Sequence, residues 1–138
     1  MLWTQTQEHT MSTSADHSSS IYLNTELALS QIGDAHAMQG MLAMLEESLS
    51  RDVPLIAKLL AANDVVGANR LLHPLKGFIP IFCNESLCTH VSRVEELSKA
   101  GAQTNAAELA QAYAGLKPEL ELLLSEVADY MNTHGAAY

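Results

Sequence analysis

From Asp34 onward the apolar residues recur at three, four and seven positions, a period that puts them on one face of a helix. Residues 1–22 show no such period. They are polar, with Ser12, Ser14, Ser18, Ser19 and Ser20 crowding their second half, and are expected to form a flexible tail in which Met11 is a second candidate start. A short helix is expected from Asn24, with Leu27, Leu29 and Ile32 apolar and Gly33 closing it. Asp34 can cap a longer helix to about Ala62, whose stripe is Met38, Leu42, Leu45, Leu49, Ile56 and Leu60. Pro54 falls inside that stripe and is expected to kink the helix without ending it, since the pattern resumes on both sides.

Asn63-Asp64 breaks the run, and Asp64 can cap a third helix with core positions Ala68, Leu71, Leu75, Ile79 and Phe82. Asn84 opens a fourth helix to about Ala100, with Leu87, Val91, Val94 and either Leu97 or Ser98 inward and Gly101 as its stop. Asn105 and Glu108 resemble a capping box. The last helix then carries Leu109, Tyr113, Leu116, Leu120, Leu123, Val127 and Tyr130 inward, with a bend expected at Pro118 and fraying over residues 134–138. Short links between long amphipathic helices favour antiparallel neighbours. The expected fold is therefore all-α: an up-down antiparallel four-helix bundle over residues 23–133 with a short additional N-terminal helix.

Composition narrows the function more than the fold. The 138 residues are 48% hydrophobic but only 5% aromatic, which suits a helical core of Leu, Ala, Val and Met. A net charge of −9 argues against nucleic acid and against an anionic membrane surface as partners. There is no run of about 18 apolar residues to span a bilayer. Cys83 and Cys88 do not make a disulfide framework, so a cytoplasmic, reducing setting is the simpler expectation. A complete set of four stripes on an acidic bundle points to a monomer.

The candidate chemistry lies in the third helix. At 100° per residue, His73 falls roughly 160° from the centre of the predicted stripe, and Asn69, Lys76, Gly77 and Pro80 cluster within about 60° of it. A histidine facing away from a leucine stripe, beside a cation and a patch of bare backbone, is poised to meet another molecule. Glycine in a helix interior costs roughly 0.5–1 kcal/mol relative to alanine, so Gly77 calls for a reason, and clearance for a partner supplies one. Neutral imidazole is a competent nucleophile, and a nearby Lys76 suits an anion bound there. No phosphate loop and no acidic cluster is predicted beside His73, so the chain has no cofactor of its own and a partner must bring the metal and carboxylates that phosphoryl transfer needs.

His73-Pro74-Leu75-Lys76-Gly77 resembles the His-x-Leu-Lys-Gly signature of histidine-containing phosphotransfer domains. Phe82, Leu87 and the pair Val94-Glu95 extend the resemblance, which spans about residues 24–132. It implies a carrier rather than an enzyme: His73 as phosphoacceptor, Lys76 as charge partner, Gly77 as the clearance position, and receiver domains of response regulators or hybrid histidine kinases as partners. Met41 and Met44, with Asn69 and Pro80, are expected to frame the docking patch. The sequence departs from the signature at Pro74, where the family usually has Ser or Thr, and at Phe78-Ile79-Pro80. Pro74 and Pro80 are expected to kink or locally unwind the helix around the site. Two alternatives remain: a degenerate bundle that binds a receiver or kinase without being phosphorylated, and a metal-binding bundle using His73, Cys83, Cys88 or His90.

Overall fold

An asparagine or aspartate opens every helix and ties down its first turn. The computed structural model describes residues 20–99 and 105–134, and within them are α1 (Thr25–Ile32), α2 (Ala35–Ala61), α3 (Val65–Phe82), α4 (Glu85–Lys99) and α5 (Ala106–His134). The side chains of Asn24, Asp34, Asp64, Asn84 and Asn105 accept the backbone N–H of Leu27, Ala37, Gly67, Leu87 and Ala107 respectively. Each satisfies a donor the helix itself leaves unpaired, which is worth about 1 kcal/mol. α1 stops at Gly33, whose φ of 85° lies in the left-handed region that glycine enters without strain. Of the tail expected over residues 1–22, residues 1–19 lie outside the described residues, as do the helix stop at Ala100-Gly101 and the end of the chain at residues 135–138; Ile21 and Tyr22, placed in that tail, are instead bound to the bundle through Glu126.

The four long helices form a closed ring in which α3 packs on α2 and α4, and α5 packs on α4 and α2. Residues 62–64 and 83–84 are links too short to cross the bundle, so consecutive helices run up and down, as the stripes require. Met38, Leu42, Leu45, Leu49, Ile56, Leu75, Ile79, Phe82, Leu87, Val91, Val94, Leu109, Leu116, Leu120, Leu123 and Val127 are all buried in one core. Two positions differ: Tyr130 is only half-buried, and in α3 Leu72 is fully buried while Leu71 is half-buried. Exchanging Leu71 for Leu72 turns the inward stripe of α3 by roughly 20°. The flank carrying Asn69 and Lys76 thereby faces α4.

Pro54, Pro74, Pro80 and Pro118 all lie within unbroken helices. The local unwinding expected at Pro74 and Pro80 does not occur. All four prolines are exposed; of the residues whose carbonyls lose a partner, 50, 70 and 114 are exposed, and Lys76, four residues before Pro80, is half-buried. Water can take the carbonyls of the exposed three, so Pro54, Pro74 and Pro118 each cost a hydrogen bond without stranding a buried acceptor.

One carboxylate secures the chain's entry into the bundle. Glu126 on α5 accepts the backbone N–H of Ile21, Tyr22 and Leu23, and Leu23 pairs with Cys83 in an isolated antiparallel bridge. The amides of Asn24 and Asn84 donate to the carbonyls of Phe82 and Tyr22 at 2.7 and 3.0 Å. This strap fastens the end of α3 to α5. At the opposite side of the core, the Tyr113 hydroxyl donates to the Val53 carbonyl at 2.8 Å. Burial pushes the Tyr113 phenol well above its ordinary value, so it stays a donor. Tyr113→Phe should lower stability by about 1–2 kcal/mol, read as a lower urea midpoint with an unchanged slope.

Candidate functional site

α3 presents His73 outward at mid-helix, with 69% of its side chain exposed. Beneath it lies Glu95 of α4, whose side chain is fully buried. The His73 Nδ1 is 3.1 Å from Glu95 Oε2, and the Lys76 Nζ donates to Oε1 at 3.3 Å. Asn69 donates from Nδ2 both to Glu95 Oε2 at 3.3 Å and to Ser98 Oγ at 2.9 Å. Ser98 in turn donates its hydroxyl to the Glu95 carbonyl at 2.7 Å. Glu96, next along α4, approaches Lys76 Nζ at 3.9 Å.

Burial works to raise the pKa of Glu95. Hydrogen bonds from His73, Lys76 and Asn69, together with the Lys76 charge, outweigh it and hold the carboxyl below its ordinary value. Glu95 is therefore an anion at neutral pH, and an ionised carboxylate can only accept. The shared hydrogen bond must be donated by His73, which places the ring proton on Nδ1 and leaves the Nε2 lone pair on the exposed edge. A nucleophilic nitrogen faces solvent, and an anion stands behind the ring to balance positive charge that develops on it.

The other expected site residues divide. Gly77 faces open space: a Cβ built there meets nothing within 4 Å. The bundle's packing does not demand this glycine. Pro80 is exposed, as is Met44 at 58%, whereas Met41 is half-buried against the core. Counting 1.5 Å of rise per residue from the α2–α3 turn, Met44 stands about 13 Å farther along the bundle than His73. Val66 is closer in direction. It lies about 20° from His73 round the helix and is 55% exposed. Asn69 belongs to the carboxylate network beneath His73.

No acidic cluster was expected beside His73, and the single carboxylate of Glu95 that holds its Nδ1 was not foreseen. A signal for Glu95 was present: it stands four residues after Val91 and three before Ser98, on the inward stripe of α4. An acid at a core position requires donors, and the polar flank of α3 supplies them. The residues of the metal-binding alternative do not converge. Cys83 is buried, which drives its thiol pKa up, Cys88 donates to the Cys83 carbonyl, and His90 Nδ1 pairs with Glu119 at 2.8 Å. Among the described residues no three His, Cys, Asp or Glu side chains come together as a metal site, and no helix is long and apolar enough to cross a membrane. No family model matches the chain, nor does any curated protein or solved structure.

Because the folded pKa of Glu95 is depressed, its network stabilises the protein above the ordinary carboxylate value of 4.5 and fades as pH falls through the lower folded value. Wild type should accordingly be more stable than Glu95→Gln at pH 7, with the difference shrinking in acid. Equal pH–stability curves for the two proteins, from denaturation at a series of pH values, would contradict this assignment. Nitrogen NMR of the His73 ring should also show Nδ1 protonated in wild type and a mixed tautomer in Glu95→Gln.

Proposed function

We propose that the protein is a histidine phosphocarrier of the phosphotransfer-domain type. In this reading His73 takes a phosphoryl group from the aspartate of one receiver domain and yields it to another. The observation that carries the proposal is the exposed imidazole whose Nδ1 is held by a buried carboxylate. The Nε2 lone pair attacks the phosphorus of an aspartyl phosphate. The bond from phosphorus to the aspartate oxygen breaks, the aspartate leaves as carboxylate, and a bond from Nε2 to phosphorus forms. The proton stays on Nδ1, and the positive charge that builds on the ring lies 3.1 Å from Glu95. The return transfer runs these changes in reverse.

Such transfer is mostly positioning and neutralisation of charge. The chain brings the nucleophile and its counter-charge, and the receiver brings aspartates and a divalent cation. Lys76 adds a positive charge beside the ring while helping to keep Glu95 ionised. Gly77, one turn beyond His73, leaves room for the partner's surface, and exposed Val66 and Pro80 offer apolar contact on the same side. The protein thus works as an intermediate carrier with no cofactor of its own and no autonomous catalysis.

Incubation with a phosphorylated receiver should transfer label to the wild-type protein and leave His73→Gln unlabelled. Equal labelling of both would overturn the carrier reading. Binding that survives His73→Ala, with no label on wild type, would instead favour the non-phosphorylated interaction module. Gly77→Ala offers a sharper contrast. It should raise stability by about 0.5–1 kcal/mol, because alanine suits an exposed helix interior better than glycine. It should also slow labelling, because the methyl group occupies the clearance. A variant that is both more stable and equally fast would remove Gly77 from the site.

A further inference from the structure

We propose that Arg70 is the cation that holds the oxygens of a phosphate at His73 Nε2, an inference that rests on the carrier reading above. The resemblance points to Lys76 for this task, but the geometry around Lys76 is crowded with negative charge. Its Nζ lies 3.3 Å from Glu95 Oε1 and 3.9 Å from Glu96 Oε2, and Glu96 is also bonded to Lys99. A phosphate entering from that flank meets one lysine shared between two carboxylates. Arg70 lies on the other flank. It is about 60° round the helix from His73, opposite in sense to Lys76, and three residues before it, a spacing at which side chains are neighbours.

Arg70 is exposed, and among the described residues no hydrogen bond or ion pair engages it. The helix around it is also unusual for this chain. Although the protein carries sixteen acids against seven bases, Val65–Phe82 contains no carboxylate, only Arg70 and Lys76. An anion arriving at Nε2 on the Arg70 side therefore meets no negative group on α3, while Glu95 and Glu96 stay on the α4 side. The guanidinium offers a planar fork of donors that matches phosphate oxygens, and its long stem reaches the adjacent turn. Lys76 is left to hold Glu95 ionised, and Arg70 to receive the anion.

Titration of the full nitrogen-labelled chain with inorganic phosphate, followed by NMR, tests the assignment without any phosphoryl donor. In wild type, the Arg70 Nε–H and the His73 ring signals should shift together and saturate. Arg70→Gln should weaken the apparent affinity about fivefold, and Arg70→Lys should recover most of the loss because it restores the charge. A merely structural role for Arg70 would not produce saturable movement of its own Nε–H. An unchanged affinity in Arg70→Gln, or no saturable shift in wild type, overturns the inference. The carrier reading is judged separately by receiver labelling of His73. Label on His73 without Arg70-dependent phosphate binding sinks only the role of Arg70. Arg70-dependent binding without label on His73 sinks only the carrier.

Discussion

The site depends on one buried charge. Glu95 sits in the α3–α4 interface without solvent, and an ionised carboxylate there is costly unless donors surround it. Asn69, His73 and Lys76, all on one flank of α3, provide that compensation, and Ser98 bonds to both the backbone of Glu95 and the amide of Asn69. The same contacts that make the carboxylate tolerable orient the imidazole. Structural and chemical demands therefore coincide in a single network: what keeps α4 seated on α3 also decides which nitrogen of His73 faces outward.

That network requires α3 to hold its course over several turns, and the helix does so despite two internal prolines. The reason is orientation. Pro74 and Pro80 face water, the acceptor that Pro74 leaves lies on exposed Arg70, and the buried side of the helix keeps its ladder. Asp64 fixes one end of α3 by capping at Gly67, and the strap from Ile21 to Asn24 holds the other end against α5 through Glu126. A helix fastened at both ends and packed along its Ala68, Leu72, Leu75, Ile79 and Phe82 stripe can accept weakened hydrogen bonds on its outer face.

Much of this was legible in the chain. The asparagine and aspartate caps, the heptad-like spacing and the glycine at residue 33 are local signals that act within a few residues, and they determined where helices begin, which side of each is apolar and that His73 faces out. Short links then left few arrangements other than an up-down ring. Pro54 leaves its helix continuous, as its stripe implied, but the local unwinding expected at Pro74 and Pro80 is absent, because proline propensity describes a helix in isolation. Here packing on one side and water on the other decide the outcome.

The role of Glu95 could be read only in part, since its place on the inward stripe marks an acid in need of donors but not which residues supply them. Its partners come from a helix whose residues lie between nineteen and twenty-six positions away, and their convergence depends on the roughly 20° turn of the α3 stripe from Leu71 to Leu72. The sequence by itself determined the helices, their faces and the exposed histidine, because periodicity and capping are short-range. Only the tertiary structure decided that the histidine rests on a buried anion and that Lys76 is committed to it, because both follow from how two helices are rotated against each other.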